Sequence, residues 1–361
     1  MLTVYIPNED YSLALKTTRD HSLPFGLINE KFVITHDISK ALIVPVVPHN
    51  TEEEIDQAAS NLGDLSDKII LIMMHTHISS DDNIEVGTQH LIDQWSKYSS
   101  RVAIVTLNSN TTRDIFYDFH FNRQKAYFVD YNKHDLYRRL WTGYSTKKMF
   151  ELGDIVKRGP YKNFLVPNRV HRQRVGEHRN EMRQKLHDFI TDKHCHRGNP
   201  ESGYVLYPQE ITEYLTVRDS LGGWSPISDD YYQTSFISVY VETITDSTKV
   251  RSITEKTYDP LIKGHFILPF GYTGLIQDIK NLGFLLPDWI DYSYDNIINV
   301  DERFDSFLKS VNEFEQYDHM AMLNFFNKSK DILLHNRKLF FLKSYDSLTD
   351  KVKARFNINK V

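Results

Sequence analysis

One cysteine, Cys195, stands in 361 residues, so no internal disulfide is possible and a reducing compartment is the expectation. No apolar run approaches the ~20 residues needed to cross a bilayer. Met1-Leu-Thr-Val-Tyr-Ile-Pro-Asn-Glu9 lacks the basic start and long apolar centre of a secretory signal. A cytoplasmic protein without a membrane partner is therefore expected. No Gly-x-Gly-x-x-Gly and no Gly-Lys-Ser/Thr loop occurs, which counts against NAD or ATP chemistry. No Asp-x-Asp occurs either, which counts against paired carboxylates holding a divalent ion. Neither sign of charge dominates. Lys and Arg number 43 against 48 Asp and Glu, a net −5 that exerts no protein-wide pull on nucleic acid. What is present is the balance of a globular chain, 40% hydrophobic and 25% charged, and long enough for two domains.

The first half alternates apolar runs with polar periodic segments. Thr3–Ile6, Lys31–Thr35, Ala41–Val47, Lys68–Met74, Arg101–Leu107 and Ala126–Asp130 read as strands, and Thr51–Leu62, Gly87–Tyr98 and Thr111–Phe119 as helices. Near-continuous apolar strands alternating with helices predict a parallel, Rossmann-like sheet. Arg158-Gly-Pro160 reads as a linker, after which the alternation restarts with a strand at Asn163–Val166 and a helix over Arg174–Ile190. Gly203–Tyr207 is a further candidate strand. From Glu302 the chain turns helical, over Glu302–Tyr317 and Met320–Leu334, with a basic segment Arg337–Lys353 at the end.

Ser235 to Asp295 is the most informative stretch. Ser235–Val241 is β-branched and aromatic and delivers Glu242 to its carboxyl end, as a buried parallel strand does. Thr254 is placed as an N-cap, Glu255 and Lys256 fall in the first turn, and Gly264 closes the helix before an apolar run, His265–Gly271. Strand, helix and strand in that order make a βαβ unit, whose ligands sit outside the carboxyl ends of the strands. The helix N-terminus offers free N–H groups and a positive dipole end to a phosphate, and Lys256 adds a point charge. Glu242 or Glu255 would accept sugar hydroxyls, while Ser252, Thr254 and Thr257 are either ligands or caps.

The order Glu242, Ser252-Ile-Thr-Glu-Lys-Thr257, Lys263-Gly-His-Phe-Ile-Leu-Pro-Phe-Gly271 resembles the donor-binding half of fucosyltransferase-like GT-B glycosyltransferases, and more closely the related proteins of large DNA phages. A second matching patch is Asn163-Phe-Leu-Val-Pro-Asn168-Arg169-Val-His-Arg172. The resemblance implies an α/β, GT-B-like fold: an acceptor domain over 1–155, a nucleotide-sugar domain over 156–335 facing it across a cleft, and a helical tail, 336–361, packing back toward the first domain. It implies a nucleotide-sugar co-substrate, UDP- or GDP-linked, transferred to a hydroxyl acceptor with no cofactor and no obligatory metal. Double-stranded DNA carrying a hydroxymethylpyrimidine is the concrete acceptor, and the host cytoplasm the location if the chain is phage-encoded. A glycan or protein acceptor, and a non-catalytic nucleotide-sugar or nucleic-acid binding module, remain alternatives.

Asn168, Arg169 and Arg172 follow a strand and so stand at the sheet's carboxyl edge, where the arginine fork suits a diphosphate. A base is needed if transfer inverts the sugar. Asp37 and His75 are the leading candidates, with His36 and His77 as alternatives. Arg174, Arg179 and Arg183 read as solvated helix positions. The stretches Arg169–Arg183 and Arg337–Lys353 are those that would track DNA phosphates. His187, His194, Cys195 and His196 lack a zinc spacing and read as a solvated loop.

Overall fold

The computed structural model describes residues 2–5, 32–46, 51–73, 89–106, 114–116, 155–167, 178–190, 195–197, 229–246, 251, 253–343 and 348–358. The chain divides into two compact units. The first comprises Met1–Leu140, Asp219–Gly222 and Tyr345–Val361, the second Trp141–Arg218 and Gly223–Ser344.

In the first unit the described strands are β1 (Leu2–Tyr5), β2 (Phe32–Thr35), β3 (Ile43–Val46), β4 (Ile69–Met73), β5 (Arg101–Thr106) and β6 (Asp114–Phe116). They form one sheet in the order β2-β1-β3-β4-β5-β6, parallel throughout. Residues alternate between its faces, as the period of two requires. Ile43, Ile69, Leu71, Ala103 and Val105 pack on one side with Leu348 and Val352 of the C-terminal helix. Val44, Val46, Ile70, Ile72 and Ile104 pack on the other, with α1 (Glu52–Leu62) and α2 (residues 89–95). α1 begins with a capping box: Thr51 Oγ1 accepts from Glu54 N, and Glu54 Oε2 accepts from Thr51 N.

The second unit contains β7 (Lys162–Val166), α3 (His178–Phe189), β8 (Cys195–Arg197), α4 (Asp229–Gln233), β9 (Ser235–Val241), α5 (Glu255–Lys263), β10 (Phe266–Phe270), α6 (Leu275–Asn281), α7 (Val300–Glu315), α8 (His319–Lys328) and α9 (Lys330–Leu342). α10 (Leu348–Arg355) belongs to the first unit. The second sheet is parallel in the order β10-β9-β7-β8. All seven residues of β9 are buried, as expected of an interior strand covered on both faces. β10 is an edge strand, which is why it tolerates Pro269. Its outward carbonyls are satisfied by tyrosines spaced as they are: Tyr292 donates to Ile267 O (2.9 Å) and Tyr294 to Pro269 O (2.7 Å). The expected architecture, an α/β chain with two Rossmann-like parallel sheets and a helical end, is thus what the described residues show.

Three local expectations are corrected. Thr111–Phe119 was expected to be helical, but Asp114–Phe116 extends the first sheet beside β5. Ile115 there joins the core with Leu348 and Val352, so burial from a distant helix outweighs the local polar pattern. Met320–Leu334 is not one helix. It breaks at Ser329, whose Oγ accepts from Trp289 Nε1 at 2.8 Å. Cys195 and His196 lie in a strand, not a solvated loop: Cys195 is buried opposite Phe164, and His196 Nε2 meets Thr234 Oγ1 at 2.9 Å. The short α4 had no expectation attached to it. The candidate strands Ala126–Asp130 and Gly203–Tyr207 lie outside the described residues.

Candidate functional site

In the second sheet the chain leaves β7 for β8 on one side, then returns to place β9 on the other. The carboxyl ends of β7 and β9 therefore flank a topological switch point, where open α/β sheets bind ligands. Val241 ends β9 and hands Glu242 to that edge. Glu242 is fully buried. Its Oε1 accepts from Thr254 N (3.1 Å) and Thr257 Oγ1 (2.8 Å), and its Oε2 from Thr254 Oγ1 (2.6 Å) and Thr243 N (3.1 Å). Thr257 Oγ1 in turn accepts from Tyr240 OH at 2.7 Å.

α5 begins where the sequence placed it. Thr254 is extended and its Oγ1 accepts from Lys256 N, while Gly264 closes the helix in the left-handed region at φ +73°. The expected first-turn pair is present and half-buried: Lys256 Nζ lies 2.9 Å from Glu255 Oε1 and 3.3 Å from Thr254 Oγ1. Thr254 Oγ1 therefore touches both Glu242 and Lys256. The body of α5 is buried from Thr257 to Lys263. Arg337 Nε of α9 donates to Ile262 O (2.8 Å), and Tyr258 packs on the rings of Phe284 and Phe340.

The adjoining turn, Gly271–Gly274, is held by residues that sequence reading missed. Arg303, buried in the first turns of α7, donates Nε to Gly271 O (3.2 Å), Nη1 to Thr273 Oγ1 (2.8 Å), Ile297 O (2.5 Å) and Ile298 O (3.0 Å), and Nη2 to Thr245 O (2.5 Å). It thereby ties the exit of β9 to the exit of β10. Burial lowers its pKa, opposed by the carboxylates of Asp295 and Asp246. Asp295 Oδ2 accepts from Ile276 N at the start of α6 (3.0 Å), and burial raises its carboxyl to about 6. Arg251 donates Nη1 to both oxygens of Asp278 (3.1 and 3.3 Å), which also accepts from Tyr272 OH (2.9 Å). None of these follows a local motif. Arg303 stands 61 positions after Glu242 in the numbering, and no helical or strand period links them.

The described residues thus bring Glu242, Thr254, Glu255, Lys256 and Thr257 to one place. Asn168, Arg169, Arg172, Ser252, His75 and His77 lie outside the described residues. Asp37 sits in the first unit, capping a short 3-10 turn (Ile38–Lys40): it accepts from Ser39 N (3.0 Å) and Ser39 Oγ (2.6 Å) and pairs with Lys40 (3.0 Å). The Ser39 hydrogen bond, and then Lys40, hold its carboxyl at about 2. A carboxylate of that acidity is a weak general base near neutral pH. Arg183, expected to be solvated, is buried and donates Nη2 to Val241 O at 3.3 Å. Arg337 is buried as well. Each basic stretch expected to track DNA therefore has an arginine turned inward. Among the described residues no cluster of metal-ligating side chains occurs, and no helix is long and apolar enough to cross a membrane.

No family model matches the chain, and no curated protein matches it. A crystal structure of an α1,3-fucosyltransferase aligns with 99% of this chain and 88% of its own, at a TM-score of 0.44 and 11% sequence identity. A likeness that distant carries no function, and the description of the two units stands on strand order and register.

Proposed function

We propose that the protein is a glycosyltransferase that draws a sugar from a nucleotide-sugar donor held at the carboxyl edge of the second sheet and passes it to a hydroxyl acceptor. The observation that carries this reading is the placement of the α5 N-terminus and Lys256 beside a topological switch point. Breaking the glycosidic bond leaves a diphosphate. The positive dipole end of α5 together with the Lys256 ammonium stabilises that charge as it develops. Glu255, paired to Lys256, holds the ammonium over the helix start. Lysine and helix supply this neutralisation without a metal. Asn168, Arg169 and Arg172 would add to it from the end of β7. The acceptor in this reading is a hydroxyl. A DNA hydroxymethyl group is one candidate, but Arg183 and Arg337 are not available to grip its phosphates.

The test is a thermal-shift panel of UDP-, GDP-, CMP- and ADP-sugars, with and without EDTA. A ligand at ~100 times its dissociation constant adds roughly 2.7 kcal/mol of stability, a clear rise in melting temperature. One nucleotide standing out, unaffected by EDTA, is expected, and release of that nucleoside diphosphate in the presence of acceptor then separates an enzyme from a binding module. A flat panel overturns the donor reading.

A further inference from the structure

We propose that Glu242 is a positioning residue, a buried latch that sets where α5 begins, and that it does not touch the sugar donor. The inference rests on the donor reading for its functional consequence and on hydrogen-bond accounting for its structure. An ionised carboxylate has about four acceptor positions. Glu242 uses two on each oxygen, all on donors of its own chain. Nothing is left for a sugar or ribose hydroxyl, and the side chain is fully buried.

The four bonds have a direction. One, from Thr243 N, fixes the carboxylate to the end of β9. The other three come from Thr254 and Thr257, the N-cap and first turn of α5. Thr254 N lies outside the helical ladder and Thr254 Oγ1 is the cap itself, so Glu242 holds the capping residue as well as the helix. Behind it, Tyr240 OH donates to Thr257 Oγ1, which frees that hydroxyl's own proton for Glu242 Oε1. Tyr240 and Glu242 belong to β9 and its immediate exit, so strand and helix start are clamped at two points. Gly271 completes the packing. A Cβ there would stand in ordinary contact with Glu242 Cβ, at 3.4 Å, but only 2.6 Å from Leu275 Cδ2, so a side chain at that position would push Leu275 aside next to the latch. Lys256 reaches the latch through Thr254 Oγ1, which accepts from its Nζ at 3.3 Å. Moving Thr254 therefore moves both the start of α5, with its positive dipole end, and the ammonium that faces the diphosphate.

The experiment compares Glu242→Gln, Lys256→Ala and the double variant, with Thr257→Val as a milder cut into the latch should Glu242→Gln fail to fold. Hydrogen exchange reads the latch without any ligand. In Glu242→Gln the amides of Thr243 and Thr254 are expected to exchange at least ~10-fold faster, with β7 amides unchanged. Protection left intact overturns the latch. Affinity for UDP and GDP, without a sugar attached, reads the function. Each single variant is expected to weaken the preferred nucleoside diphosphate about tenfold, and the double variant by much less than the product, because one residue acts through the other. Additive losses, or a Glu242→Gln variant weakened toward the nucleotide sugar alone, overturn the positioning role in favour of direct contact. Wild-type protein that binds no nucleotide overturns the donor reading, and exchange alone then decides the latch.

Discussion

The side chain of Ile155 occupies the space a Cβ on Gly264 would need, with its Cδ1 2.5 Å from that position. Gly264 closes α5 at φ +73°, so alanine there meets both a left-handed backbone and a filled site. Gly264→Ala is expected to destabilise the protein by about 2–4 kcal/mol, the sum of an αL penalty and overpacking. Urea denaturation checks this. Combining it with Ile155→Ala should recover part of the overpacking loss and none of the backbone penalty.

Arg303 carries a second prediction. Arg303→Met keeps the length and apolar stem but leaves the carbonyls of Thr245, Gly271, Ile297 and Ile298 without their guanidinium donors. A loss of about 3–5 kcal/mol is expected by the same denaturation assay. Arg303→Lys should recover only a fraction, since an ammonium cannot reproduce the planar fork.

Stability should depend on pH with a sign set by burial. Burial lowers His196 from 6.5 to about 4 and holds His265 well below its ordinary value. Burial alone does not set the state of His265. Its Nε2 faces Ser235 O at 2.8 Å and must carry the proton, so Nδ1 accepts from Ser238 Oγ. Between about pH 6.5 and 4 the unfolded chain binds more protons than the native one at these sites, so stability falls on acidification through that window. Asp295, raised to about 6, works the other way: its contribution is present below 3.8 and lost as pH rises through 6. Denaturation midpoints from pH 7 to 4.5 should therefore fall less steeply in His196→Gln and more steeply in Asp295→Asn than in the wild type.

Lys256→Ala tests the donor site. Its ammonium contacts only Glu255 and Thr254 among the described residues, so the fold should survive with melting temperature little changed. Turnover with the nucleotide sugar selected by the thermal panel should fall at least ~10-fold, the loss of one charge-assisted contact. Undiminished turnover would remove Lys256 from the site.

Much of the fold was legible because its signals are local. Ile69–Met74 is apolar throughout and Ser235–Val241 is apolar but for its two serines, as strands covered on both faces require. The limits of α5 were legible for the same reason: Thr254 and Gly264 act within a turn of their own positions. The error at Ile115 has the opposite origin. A three-residue strand has no period to read, and its partner on the core, α10, lies more than 230 residues away in the numbering. The helix break at Ser329 is similar, since Trp289 anchors it from another element.

Within the site, the sequence by itself determined that an acidic residue ends β9 and that a threonine-capped helix bearing Glu255 and Lys256 follows. Residue type, chain order and short-range hydrogen bonding suffice for that. Only the tertiary structure decided what Glu242 does with its oxygens, and that Arg303 gathers the exits of β9 and β10. A carboxylate reads the same whether it faces a ligand or its own chain, and only its burial and its four donors distinguish the two. The same holds for Arg183 and Arg337, which carry the charge of surface residues in the sequence and donate to buried carbonyls in the fold.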